Sequence, residues 1–180
     1  MPSCDTLSIY PIKCFVARYM QSSQLSVDPF ARNSRVANYR NDLNPETAAE
    51  YHMDACDFLA KMKDDGVRAD LLIFDPPYSS RQVAECYAQV GRKATQEDTQ
   101  GLSWRLWKKA AAEIVKEGGH ILSFGWNSNG IGKKNGFEIV EIMTVAHGGV
   151  HNDTICVAEV KLPDERTLFD RTQPITPEPK

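Results

Sequence analysis

The run Leu71-Leu72-Ile73-Phe74 is apolar at every position, and Asp75-Pro76-Pro77-Tyr78 follows it directly. A strand with one wet face alternates polar and apolar residues. Four consecutive apolar side chains instead require cover on both faces, which predicts a central strand of a parallel sheet with helices above and below. The run stops sharply. Asp75 is charged, and the two prolines lack an N–H and fix the backbone, so strand pairing cannot continue. A carboxylate, a rigid carbonyl and an aromatic ring are thus held together at the C-terminal end of a central strand. In open α/β sheets, ligands bind along that edge.

This group suits a planar amine. Asp75 can accept one N–H and the carbonyl of Pro76 the other, while Tyr78 stacks on the ring that carries the amine. Drawing both hydrogens toward acceptors makes the nitrogen lone pair more available. The residues resemble the Asp-Pro-Pro-Tyr motif of amino-methyltransferases, which move a methyl group from S-adenosylmethionine to an exocyclic base nitrogen. The resemblance implies that Asp75, Pro76, Pro77 and Tyr78 are catalytic and that the cofactor is S-adenosylmethionine.

The preceding third of the chain resembles the cofactor half of that family. Gln24–Phe30 reads as a first strand ending in Asp28-Pro29-Phe30, similar to the motif Asp-Pro-Phe-x-Gly-x-Gly. The resemblance puts Asp28 and Phe30 at the cofactor, but Arg32 and Ser34 stand where it has glycines. Val36–Tyr39 begins a second strand that leads to Asp42, whose single carboxylate can accept from both hydroxyls of a ribose. Asn44 and Pro45 are suited to cap and open a helix. Tyr51–Leu59 reads as a third strand turning into a helix. There the family's acid for the adenine amine matches Asp54, and Asp57 sits in the first helical turn, where the dipole favours it. Before the first strand, Ile9, Ile12, Phe15, Val16 and Tyr19 repeat at helical spacing, with Pro11 in the first turn. By resemblance this helix touches the methionine end of the cofactor, with Lys13 as candidate contact.

Beyond the central motif, Ser79-Ser80-Arg81 begins a helix running to about Val90, and residues 91–101 read as a mobile loop. Arg81 is a candidate phosphate contact. Leu102–Lys116 reads as an amphipathic helix with Leu102, Leu106, Trp107, Ala110, Ile114 and Val115 on one face, ended by Gly118-Gly119. A fifth strand, His120–Phe124, leads to Trp126 and Asn127, candidate substrate contacts. Phe137–Ala146 and Asp153–Leu162 read as a sixth strand and an antiparallel seventh, joined by a turn that carries His151, a further candidate contact. The Gly-Gly turn accounts for the spacing of His147, His151 and Asp153, and no metal is expected. The fold class is α/β: a Rossmann-like methyltransferase fold with a seven-stranded, mostly parallel sheet and one antiparallel strand. Residues 1–162 form the catalytic domain, and the charged, Pro-rich residues 163–180 read as a disordered tail.

The net charge of −3 gives no overall basic footprint for nucleic acid. The five cysteines form no C-x-x-C pair, and no signal segment or transmembrane-length run is visible. These features place the expected protein in the cytoplasm, away from membranes, with reduced thiols. Asp before Pro-Pro-Tyr is the form usual in DNA adenine methyltransferases. The resemblance therefore implies methylation of the exocyclic amine of adenine in DNA, with the base flipped from the helix. The chain resembles a small phage- or mobile-element-like form without an evident target-recognition domain, so a homodimer or partner subunit is expected to help supply sequence recognition. The same chemistry serves an RNA base or a protein amide. Arg32 and Ser34 also leave open a catalytically silent nucleic-acid-binding protein with this fold.

Overall fold

A computed structural model describes residues 6–95, 101–148 and 152–164. A 3-10 turn, Thr6–Ser8, precedes α1 (Tyr10–Met20). Then come β1 (Ser26–Asp28), β2 (Tyr39–Arg40), α2 (Ala55–Asp64), β3 (Ala69–Phe74), α3 (Ser80–Gln89), α4 (Gly101–Ile114), β4 (Val115–Gly125), β5 (Phe137–Val145) and β6 (Thr154–Lys161). The sheet order is β2-β1-β3-β4-β6-β5. β1, β2, β3 and β4 pair in parallel, and β6 runs antiparallel to both β4 and β5.

The central apolar run does what its composition requires. Leu72 and Phe74 face a layer built from Phe58, Leu59 and Met62 of α2, Val83 of α3 and Trp107 of α4. Leu71 and Ile73 face Ile12, Phe15 and Val16 of α1. All four are at most 2% exposed, and each such side chain contributes roughly 1.5–3 kcal/mol on burial. α1 is also pinned at the far side of the sheet, where Arg18 and the Tyr19 hydroxyl donate to Glu141 at 2.6 and 2.9 Å.

The sheet has six strands rather than seven. Where a third strand was expected, Tyr51 makes only an isolated bridge to Asn41. Asp54 begins capping α2 three residues later, and the stretch between is fastened by a side chain instead of a ladder: Met53 donates to the Asn41 side-chain oxygen at 3.0 Å. The second strand likewise shrinks to Tyr39–Arg40 and leaves Val36 exposed. No helix opens at Asn44-Pro45. The Asn44 side chain accepts from Glu46 N–H at 3.0 Å, closing a local turn that competes with helix formation. α4 ends at Ile114, because Val115 already pairs with Ala69; Leu71 next pairs with His120, so Gly118-Gly119 belong to a bulge within β4 and not to a helix end. Leu106, expected on the buried face of α4, is 46% exposed, while Ala111 is buried.

β6 carries an unforeseen anchor. Glu159 is fully buried, and its carboxylate accepts from the N–H groups of Ile131 and Gly132 at 2.5 and 2.8 Å. Gly130 lies over it with φ +51, and a Cβ there would overlap the carboxylate. This fixes the loop that follows β4. Glu159→Ala strands both donors and should cost about 2–4 kcal/mol, read as a lower urea midpoint with an unchanged denaturant slope.

Candidate active site

The parallel strands deliver their last residues to one edge. Asp28 ends β1, Asp42 follows β2, Asp75 follows β3 and Trp126 follows β4. Beside them a cavity of about 420 Å³ opens, within the size range of small-ligand sites. Phe30, Asp42, Asp54, Asp75, Pro76, Pro77, Tyr78, Arg81 and Trp126 all line it.

At one end, the Tyr78 hydroxyl donates to Asp75 Oδ1, and Thr6 Oγ1 lies 3.4 Å from the same hydroxyl. Burial and the Asp75 carboxylate both push the Tyr78 phenol far above its ordinary value, so it stays protonated and remains a donor. The Tyr78 ring meets Trp126 edge-on, with centroids 5.7 Å apart. The turn itself is fastened from two sides. Gln82 Oε1 accepts from Tyr78 N–H at 2.5 Å, and the indole of Trp104 donates to the Pro77 carbonyl at 3.0 Å. Nothing about Gln82 or Trp104 in the sequence marks these roles, since each is set by the turn it meets.

The other end is built around Asn41. Its side-chain amide donates to the carbonyls of Pro29 and Met53 at 3.1 and 3.0 Å, and it accepts from Met53 N–H. One buried residue therefore joins the segments that carry Phe30, Asp42 and Asp54. Asp42 accepts from Asn44 N–H at 2.8 Å through Oδ1 and from Arg32 N–H at 3.0 Å through Oδ2. Asp54 accepts from Cys56 N–H at 2.9 Å, and the Tyr87 hydroxyl lies 3.3 Å from its other oxygen. A carboxylate has about four acceptor sites, so both acids keep capacity for a ligand's hydroxyls or amine. Phe30 meets Phe74 and Trp107 edge-on at 5.6 and 5.4 Å, forming an aromatic floor.

The remaining sequence candidates are placed differently. Asp28 is 1% exposed and does not line the cavity; its carboxylate accepts from Phe30 N–H at 3.0 Å. Lys13 is exposed on α1 and Asn127 is exposed after β4, neither at the cavity wall. Arg81 stands at the rim, paired with Glu85 at 2.8 Å. His151 lies outside the described residues, as do 96–100 of the expected loop and 165–180 of the expected tail. His147 uses Nε2 to meet Thr154 Oγ1 at 2.7 Å. Among the described residues no helix is long and apolar enough to cross a membrane.

No family model matches the chain, and no curated protein matches it. Solved structures do. N-methyltransferase NodS from Bradyrhizobium japonicum WM9 superposes with a TM-score of 0.55 at 9% identity, covering 88% of this chain and 99% of NodS. SMU.776, solved in complex with SAH, gives 0.53 at 12% identity, over 81% of this chain and 48% of that one. TrmN from Thermus thermophilus gives 0.53 at 14%, over 84% and 48%. The chain thus spans about half the length of the last two. At these identities the likeness establishes the fold: a Rossmann-like methyltransferase fold with six strands.

Burial raises the Asp28 carboxyl well above its ordinary value of 3.8, against the Phe30 N–H; the Asp75 and Asp42 charges add to the rise. A carboxyl raised by folding contributes stability that is complete below the unfolded value and is lost as pH rises through the folded one. Asp28→Asn should therefore raise the melting temperature at neutral pH and leave it unchanged near pH 3 (roughly, one unit below the unfolded value). Thermal melts across that range check it.

Proposed function

We propose that this chain is an S-adenosylmethionine-dependent methyltransferase acting on the exocyclic amine of adenine in DNA. The observation that carries the reading is one cavity shared by the Asp75–Tyr78 group and by Asp42 and Asp54. The fold and the capacity of the acids support the cofactor, and the solved structure of SMU.776 with SAH is consistent with it. Asp42 would hold the ribose and Asp54 the adenine amine, over the aromatic floor of Phe30 and Trp107. When bound, the cofactor supplies an electrophilic methyl group on a positively charged sulfur.

The chain's own residues do the rest. Asp75 and the Pro76 carbonyl accept the two amine hydrogens and aim the nitrogen lone pair. Asp75 is also positioned to take the proton that the methylated nitrogen must shed. The Tyr78 hydroxyl fixes the carboxylate rotamer, and the corner made by Tyr78 and Trp126 receives the flipped base. The Gln82 and Trp104 contacts hold the Pro-Pro turn rigid, so positioning is established before substrate arrives. Asp28 would act only indirectly, by holding the backbone of Phe30, while Arg81, at the cavity rim, would meet the nucleic acid, with Asn127 and His151 as further candidate contacts. A homodimer or partner subunit would complete sequence recognition.

The test is transfer of tritiated methyl onto DNA, RNA and protein, followed by nucleoside analysis. Label in N6-methyladenine of DNA is expected; label in RNA or protein alone would move the assignment to those substrates. Asp75→Ala should lower turnover by about 100-fold or more with cofactor binding retained. Tyr78→Ala should mainly weaken substrate capture, by about 1–3 kcal/mol. Near-normal turnover of Asp75→Ala would overturn the mechanism. Base readout costs about 1–3 kcal/mol per mismatched contact, and few segments near the cavity mouth can reach base edges. The isolated chain should therefore methylate short sites with low discrimination, which genome-wide mapping in a methylation-free host measures.

A further inference from the structure

We infer that Arg32 is the anion subsite of this cavity and holds the amino-acid carboxylate of S-adenosylmethionine. The inference rests on the cofactor reading above.

Arg32 is the one non-glycine residue with a left-handed backbone among the described residues, at φ +50. Glycine adopts that conformation without steric cost, whereas an arginine does not. The strained turn is held by Asp42, whose Oδ2 accepts the Arg32 N–H at 3.0 Å while Oδ1 takes Asn44 N–H. The chain thus maintains a disfavoured backbone with a long cationic side chain at the wall of the cavity.

Charge balance says what that cation is for. The lining includes the carboxylates of Asp42, Asp54, Asp75 and Glu85, and the guanidinium groups of Arg32 and Arg81. Arg81 is already paired with Glu85 at 2.8 Å. Among the described residues, Arg32 forms no ion pair. A ligand that brings a carboxylate into a wall of acids needs a cation opposite it, and a planar guanidinium can meet a carboxylate through two parallel hydrogen bonds. The Arg32 charge is also felt inside the cavity. The Cys86 thiol, on α3, is raised by burial and by Asp42, and Arg32 opposes that rise.

The test compares S-adenosylmethionine with decarboxylated S-adenosylmethionine, which differ only in the carboxylate, by calorimetry on the full chain. The wild type should prefer the carboxylated ligand by roughly 10-fold or more. Arg32→Gln and Arg32→Gly should abolish that preference while leaving affinity for the decarboxylated ligand within about twofold of wild type, a margin inside the usual scatter of independent contacts. Arg32→Gly removes the backbone strain, so its melting temperature should equal or exceed that of the wild type. If the wild type binds both ligands equally, the Arg32 assignment falls and the cofactor reading stands. Binding of neither ligand removes both. A melting temperature well below wild type in Arg32→Gly, or variants that lose oligonucleotide affinity but keep the ligand preference, would make Arg32 a structural or phosphate-contacting residue and overturn the inference.

Discussion

Burying β3 on both faces is the constraint from which the rest follows. Leu71 and Ile73 need α1, and Leu72 and Phe74 need α2, α3 and α4, so the run Leu71–Phe74 has no room for a polar side chain. Polar chemistry is displaced to the strand's end, where Asp75 emerges. The neighbouring parallel strands run the same way, so their terminal acids arrive at the same edge. The shared direction gathers Asp42 and Asp75 at one edge, and the Asn41 side chain brings Asp54 to the same cavity. The tightness of the Pro-Pro turn then turns that gathering into a defined geometry, because Gln82 and Trp104 grip it from α3 and α4.

The parts of this arrangement visible in the sequence are those with local signals. The four-residue apolar run, the helical spacing of Ile12, Phe15 and Val16, and the helix start at Ser79-Ser80-Arg81, which the structure shows capped by Ser79, each need only a few neighbouring residues. Asp75 was visible for the same reason, since it follows an apolar stretch, whereas Asp42 and Asp54 were legible through their order and the family resemblance. The features that escaped depend on partners far along the chain. Glu159 meets a loop 28 residues earlier, and Asn41 meets carbonyls 12 residues away on either side. The extension of β4 back to Val115 is set by Ala69, across the sheet. The helix expected at Pro45 failed for a different reason: the short Asn44 side chain satisfied the Glu46 N–H locally, and a turn needs less order than a helix.

Arg32 and Asp42 illustrate how departure from a motif can carry information. The glycine expected by resemblance is replaced, the backbone keeps a glycine-like conformation, and a carboxylate at hydrogen-bond distance stabilises it. Such outliers are maintained only where surrounding structure over-determines them. Asp42 therefore has two tasks in this chain, holding its own turn and facing the cavity.

Asn41 has a consequence for how the sheet opens. The β2 edge offers a ladder of only two residues, so the Asn41 carboxamide and a few loop backbone bonds, such as Asp42 N–H to the Tyr51 carbonyl at 3.1 Å, share the fastening that a full third strand would provide. Regions with so few backbone bonds exchange their amide hydrogens through small local openings, well below the free energy of global unfolding. Asp42 and Asp54 both sit on that loosely cooperative side, while Asp75 sits on the rigid one. A ligand spanning Asp42 and Asp54 would itself take the place of the absent strand, ordering the edge as it binds.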